Sequence, residues 1–337
     1  MSTRKELSII RKIADYVLLN AYSTKASGLY NGKAGMALAM FEVSRALHDE
    51  YYEEQAMELL QESLLSQTDD IGYDNGLSGI GFVLCHLIEQ GFVEANFEEL
   101  FGSQLIKIKS QMSQMLDKKE KWADTLNRIK IIRFLDTVYS KTKDEETKTI
   151  AESLVELASR VICKNLSSGN RQIALATMPL LCTYMALLAE CNLIFTKSVE
   201  VMEMFYNGHD TILPASVFLI NYNASILADK LGNCEWRKFA DKNAKIAMRN
   251  LYPETLSFMQ HLELLGTLNL YPEMYYKERQ KLEQHLFNIC NENTLEHILL
   301  REVGIPGYVA SYKSGLSGYL TYWSVKQNIN YRKNLLM

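Results

Sequence analysis

An all-α fold is what this sequence predicts, on three observations. The 337 residues are 47% hydrophobic, with five prolines and 17 glycines, too few for a sandwich or barrel dense in turns, and Leu, Ala, Met, Glu and Lys are abundant. Apolar residues recur at spacings of three and four, the period of a helix. A glycine phrase also returns along the chain: GLYNGKAGMALAM from Gly28, GYDNGLSGIGFVL from Gly72 and SYKSGLSGYLTYW from Ser311, with Gly32 and Gly76 44 residues apart.

Taken in order, the elements alternate in character. Residues 3–20 interleave charges with apolar positions and predict an amphipathic helix, without the apolar block of a signal peptide. After Gly32 comes an apolar, small-residue-rich helix over 33–48, then a charged one over 51–66; after Gly76 the apolar stretch GLSGIGFVLCHLIEQG precedes an amphipathic helix over 97–117. One unit is therefore a glycine loop, an apolar helix, a turn and an amphipathic helix. The same ruler places apolar helices at 125–140, 171–190, 211–231, 254–268 and 315–327, and amphipathic ones at 144–165, 194–205, 235–250 and 273–292. A weaker echo of the phrase, FYNGHD, puts Gly208 three periods beyond Gly76. A helix apolar on most of its surface belongs inside and one with a polar face outside, so the seven pairs predict two concentric rings in one domain spanning 1–337. Pro179 and Pro214 fall early in their apolar segments, where a proline starts or kinks a helix.

Composition narrows the function classes. A net charge of −4 and scattered Lys and Arg leave no footprint for nucleic acid. No apolar run approaches the ~18 residues of a membrane span, so no membrane partner is expected. Six cysteines are spread singly with no C-x-x-C pair, which predicts buried thiols in the reducing cytoplasm.

The glycines predict tight starts for the inner helices: Gly35, Gly79 and Gly318 stand where a side chain would collide with a neighbour. The polar residues before them would emerge at one end of the rings and line a shared mouth. Candidate binding residues there are Tyr30, Asn31, Lys33, Tyr73, Asp74, Asn75, Tyr206, Asn207, Tyr312 and Lys313. Tyrosine offers a rigid ring with a hydroxyl and suits a concave peptide or sugar site, or else each ring packs onto the next repeat. Lys33 and Lys313 would draw an acidic substrate or leader peptide, or stay solvated.

On NGKAGMALAM, NGLSGIGFVL and SGLSGYLTYW, the chain resembles the lanthionine synthetase C-like family over essentially its whole length. The resemblance implies an α/α toroid of seven inner and seven outer helices. It also implies a peptide-modifying activity in which zinc turns a peptide cysteine into a thiolate that adds to a dehydrated Ser or Thr. Such a site needs three protein ligands and one open position. The family supplies them from a Trp-Cys-Tyr-Gly and a Cys-His-Gly loop, with a histidine from an Ala-His-Gly loop. This sequence departs from all three. Its fifth loop reads Phe205-Tyr206-Asn207-Gly208, its sixth, NLYPETLSF, holds neither Cys nor His, and its fourth, SSGNRQIAL, has no His. The one Cys-His pair, Cys85-His86, falls mid-helix. The usual zinc ligands are thus missing, and no metal set is assigned.

His209 and Asp210 are the remaining candidates for proton transfer at the mouth, although Asp210 would equally cap the following helix. Cys234 and Cys290 could join His209 in an unconventional zinc site. His261 on an inner helix is expected to be a hydrogen-bonded core residue; His48, His285 and His297 are expected on solvated faces or helix ends. Three readings compete: a peptide-modifying enzyme with a rearranged or zinc-free site, a non-catalytic scaffold that holds a peptide or partner enzyme, and a glycoside-processing toroid. The last needs facing carboxylates, for which Asp74 and Asp210 are the conceivable pair.

Overall fold

A computed structural model of the chain describes residues 4–116, 122–191, 193, 198–208, 214–269, 274–291, 295–303, 308–313 and 315–327. They are all-α: no strand occurs among the described residues. The helices are α1 (Arg4–Ala21), α2 (Lys33–Leu47), α3 (Glu50–Leu64), α4 (Leu77–Glu89), α5 (Phe97–Met115), α6 (Trp122–Ile129), α7 (Ile131–Thr142), α8 (Glu145–Leu166), α9 (Arg171–Glu190), α10 (Ser198–Gly208), α11 (Pro214–Lys230), α12 (Cys234–Arg249), α13 (Phe258–Asn269), α14 (Tyr276–Cys290), α15 (Leu295–Val303) and α16 (Leu316–Gln327). They divide into two compact units, one of residues 1–97 with 252–337, the other of residues 98–251.

In the first unit the apolar helices are buried and the amphipathic ones cover them. Every residue from Ala34 to Ser44 of α2 is buried, as is all of α4 from Leu77 to Leu87 except Phe82. Helix α16 packs against α2 and against α13, and α2 packs against α4. Over this row lie α3 on α2, α1 on α2 and α16, and α14 on α13. Helix α3 shows the division of labour: Tyr52, Ala56, Leu59, Leu60 and Ser63 face inward, while Glu50, Glu54 and Glu58 face out. Helix α4 ends because Gly91 takes φ 72°, letting the Gly91 amide reach the Ile88 carbonyl and the Phe92 amide reach that of Leu87.

In the second unit α9 packs against α6, α8 and α11, and α11 against α12. Among the described residues α9 is long and apolar enough to cross a membrane, contrary to the expectation of no such run. Just over half of its most apolar stretch is buried inside the protein, where the helix packs on α8 and α11. Pro214 opens α11 as expected, whereas Pro179 lies inside α9.

The sequence reading placed no helix at α15 (Leu295–Val303), and three further elements differ from it by more than a few residues. The segment 125–140 is two helices joined at Lys130, whose carbonyl accepts an i+3 bond from Arg133 at 3.3 Å. The segment from 254 starts as a short 3₁₀ turn (Pro253–Thr255), and α13 begins only at Phe258. Its start is set by a capping box: the Ser257 amide donates to Gln260 Oε1 at 2.9 Å and the Gln260 amide to Ser257 Oγ at 3.2 Å. Helix α10 runs on through Gly208, so the expected glycine loop at Phe205–Gly208 is its last turn.

Candidate functional site

The three glycine phrases in the first unit share one backbone geometry. The amides of Lys33 and Ala34 donate to carbonyls seven residues earlier, Ala26 and Ser27; Leu77 and Ser78 donate likewise to Asp70 and Ile71, and Leu316 to Val309. The hydroxyls of Ser78 and Ser317 repeat the same seven-residue reach, to Ile71 and Ala310. Such a fold-back presses the third helical residue onto the carbonyl six positions before it. A Cβ on Gly35, Gly79 or Gly318 would stand 1.9, 2.2 or 2.1 Å from the carbonyl oxygen of Leu29, Tyr73 or Tyr312. The sequence repeat is therefore a structural repeat.

Successive loops are also bonded to one another. The Gly28 amide donates to Asn75 O at 2.9 Å, Leu29 to Tyr73 O at 3.3 Å and Asn31 to Asp74 O at 3.1 Å. The last loop joins the first: Tyr312 and Lys313 both donate to Tyr30 O, at 2.9 and 3.2 Å. Asn31 Nδ2 donates to Asn75 Oδ1 at 3.0 Å, so two side chains at equivalent places in adjacent repeats lock together.

This edge brings together Tyr30, Asn31, Lys33, Tyr73, Asp74, Asn75, Tyr312 and Lys313, but not as an open aromatic mouth. Tyr30, Tyr73 and Tyr312 are all buried. The Tyr30 and Tyr73 rings meet edge to face at 5.2 Å, the packing between neighbouring repeats that was the alternative to a binding role. Lys33 is ion-paired with Glu62 of α3, and Lys313 Nζ lies 2.7 Å from Glu263 of α13 while sitting over the Tyr30 ring. Both lysines are thus locally balanced, and neither offers an unpaired charge to an acidic ligand. Asn75 is exposed, and Asn31 and Asp74 are half-buried. The remaining polar face is a neutral amide pair beside one carboxylate. The amides at the starts of α2 and α4 already have carbonyl partners, so these helix ends present no anion cradle there.

The other candidates belong to other segments of the chain. Tyr206 and Asn207 lie in the last turn of α10, and His209 and Asp210 lie outside the described residues. The Asp74–Asp210 carboxylate pair therefore has one member on the edge and one outside the description. His261 is buried: its Nδ1 lies 2.9 Å from Ser257 O, and its ring stacks on His285 at 5.1 Å. Burial holds its pKa below the ordinary imidazole range, against the Ser257 carbonyl, which raises it, so it is a neutral core residue. His86, beside Cys85, is buried in α4 with its Nε2 3.6 Å from Glu42 of α2, which also binds Arg45 at 2.7 Å.

Zinc finds no fit among the described residues, where no three His, Cys, Asp or Glu side chains converge. Burial raises the thiol pKa values of Cys163, Cys191 and Cys290, opposite to what a thiolate ligand requires. Cys234 is exposed at the start of α12.

Sequence reasoning missed Glu42, Glu62 and Glu263, the carboxylates that neutralise Arg45, Lys33 and Lys313. Glu42 is three residues from Arg45 on one helix and was legible in principle. Glu62 and Glu263 reach their partners across tertiary contacts that no local pattern signals. No protein-family model and no curated protein matches the chain.

Proposed function

We propose that this chain is a lanthionine synthetase C-like α/α toroid that holds a peptide, or a partner enzyme of peptide maturation, in the cytoplasm without zinc-dependent ring closure. The observation that carries this reading is the bonded set of three glycine loops, in which the loop before α16 is joined to the loop before α2 through Tyr30 O. That bond is what a closed ring of repeats needs at its seam. The three phrases, the buried apolar helices and their amphipathic covers support the same architecture. The exposed amide of Asn75, with Asn31 beside it, supplies neutral hydrogen-bonding groups suited to peptide backbone. The unbridged cysteines fit a reducing compartment.

The scaffold reading is preferred over the cyclase because the donor chemistry points away from zinc: buried, high-pKa thiols and no convergent ligand set among the described residues. The test uses the purified full chain. Its zinc content is measured, and it is incubated with a synthetic peptide carrying one cysteine and one dehydroalanine, with thiol alkylation reporting ring closure and fluorescence anisotropy reporting binding. The scaffold reading predicts substoichiometric zinc, full alkylation and binding weakened by the double substitution Asn31→Ala, Asn75→Ala. Stoichiometric zinc together with loss of the alkylatable thiol would overturn it.

A further inference from the structure

We infer that the outward face of α12 is a docking surface for a second copy of this chain, and that it receives the acidic face of α3 from that copy. The two faces lie on different units, and the inference is independent of the function proposed above.

Helix α12 turns Ala240, Ala244, Ala247 and Met248 inward. On the opposite arc stand Lys238, Lys242, Lys245 and Arg249, all exposed. Lys238 and Lys242, and Lys245 and Arg249, are four apart, so each pair repels along the helix. None of the four is ion-paired among the described residues, whereas Arg237, nearer the packed side, binds Asp229. Along one edge of this basic arc, Phe239 and Ile246, seven residues apart, are 47% and 48% exposed. Two apolar side chains make too narrow a strip to enter a bilayer, for which an amphipathic helix commits its wide apolar face; that of α12 is spent on packing against α11. A protein partner with matching charge is the better fit.

The matching charge occurs on the chain itself. Helix α3 contains five glutamates and no basic residue. Glu50, Glu54 and Glu58 recur every fourth position on its exposed face, again a self-repelling row, and none is ion-paired among the described residues. Tyr51 and Leu65 flank that row at 54% and 81% exposure. Each helix thus carries an unfavourable row of like charges edged by uncovered apolar groups, and the two rows have opposite sign. The rows are also similar in length, roughly 12 Å from Glu50 to Glu58 and roughly 17 Å from Lys238 to Arg249 at 1.5 Å per residue. Laid together they would relieve both repulsions and bury the apolar edges. The contact joins unlike surfaces, so it is heterologous. With a net charge of only −4, the chain has little overall repulsion to resist it.

Charge reversal in both directions tests this by sedimentation velocity on the full chain. Wild type is expected to associate with rising concentration at about 10 mM salt and to dissociate at about 1 M, where the Debye length falls from about 30 Å to about 3 Å. The triple variant Glu50→Lys, Glu54→Lys, Glu58→Lys and the triple variant Lys238→Glu, Lys242→Glu, Lys245→Glu should each stay monomeric alone. Mixed in equal amounts, the first offers only basic faces and the second only acidic ones, so the mixture should associate. All these side chains are exposed, and helix content by circular dichroism confirms folding; the corresponding Gln variants, which remove charge without reversing it, should weaken association about tenfold or more. Wild type that stays monomeric at low salt, or association indifferent to both reversals, would overturn the inference.

Discussion

At Gly79 a Cβ would lie 2.2 Å from the Tyr73 carbonyl oxygen and 2.4 Å from the Leu29 amide nitrogen, and neither backbone atom can yield without breaking the bond between the two loops. Gly79→Ala is therefore expected to cost about 3 kcal/mol, the upper range for overpacking, read as a lowered urea midpoint. Gly102, inside α5 with nothing within 4 Å of its Cβ position, is the control: Gly102→Ala should stabilise by about 0.5–1 kcal/mol. A Gly79→Ala protein as stable as wild type would contradict the close approach. The role of these glycines was legible because only a missing side chain explains the same residue at three equivalent helix starts. The fate of Tyr30 and Tyr73 was not, because a ring before a glycine turn packs sideways or points out according to neighbours that come from other repeats.

At the scale of elements, caps decide where helices begin. Asp144 holds the start of α8: its carboxylate accepts from the amides of Glu146 and Thr147 at 3.3 and 3.2 Å and from Lys109 Nζ at 2.7 Å. The Lys109 bond, followed by the Thr147 hydroxyl, lowers its pKa from 3.8 to about 2. Because the folded value is the lower one, the carboxylate's stabilisation is complete above about pH 4 and is lost as pH falls toward 2. Asp144→Ala should cost about 1–2 kcal/mol at neutral pH and flatten the acid limb of a stability–pH profile, while Asp144→Asn, which keeps the cap but loses the Lys109 ion pair, should cost less than Ala and flatten the acid limb equally. Equal losses in both variants would show that the charge, not the cap, matters. Most helix spans were legible from periodicity to within a few residues. The start of α13 was missed although Ser257 and Gln260 spell a capping box, because the expected helix was begun at Glu254, ahead of that box. The break at Lys130 had no local signal, since that residue keeps helical angles of −60° and −26°.

At the scale of the molecule, the seam between Tyr312 and Tyr30 joins loops 282 residues apart in sequence, an ordering whose closure entropy is on the order of 5 kcal/mol. Burial of α16, whose residues from Leu316 to Val325 are all inside, offsets that cost, and Trp323 Nε1 donating to Glu6 Oε1 at 2.8 Å fastens α16 to α1. The shared geometry of three glycine loops was visible in their sequence, whereas the spacing that added Gly208 to them misled, and the two-unit division left no mark in composition or linkers. Amide hydrogen exchange, followed peptide by peptide in the full chain, tests the seam most directly. If the last repeat is bonded to the first, the amides of Tyr312, Lys313 and Leu316 should be protected as strongly as those of Leu29 and Leu77, and should open together with them. Rapid exchange over 308–316, with 27–34 and 70–78 still protected, would contradict it.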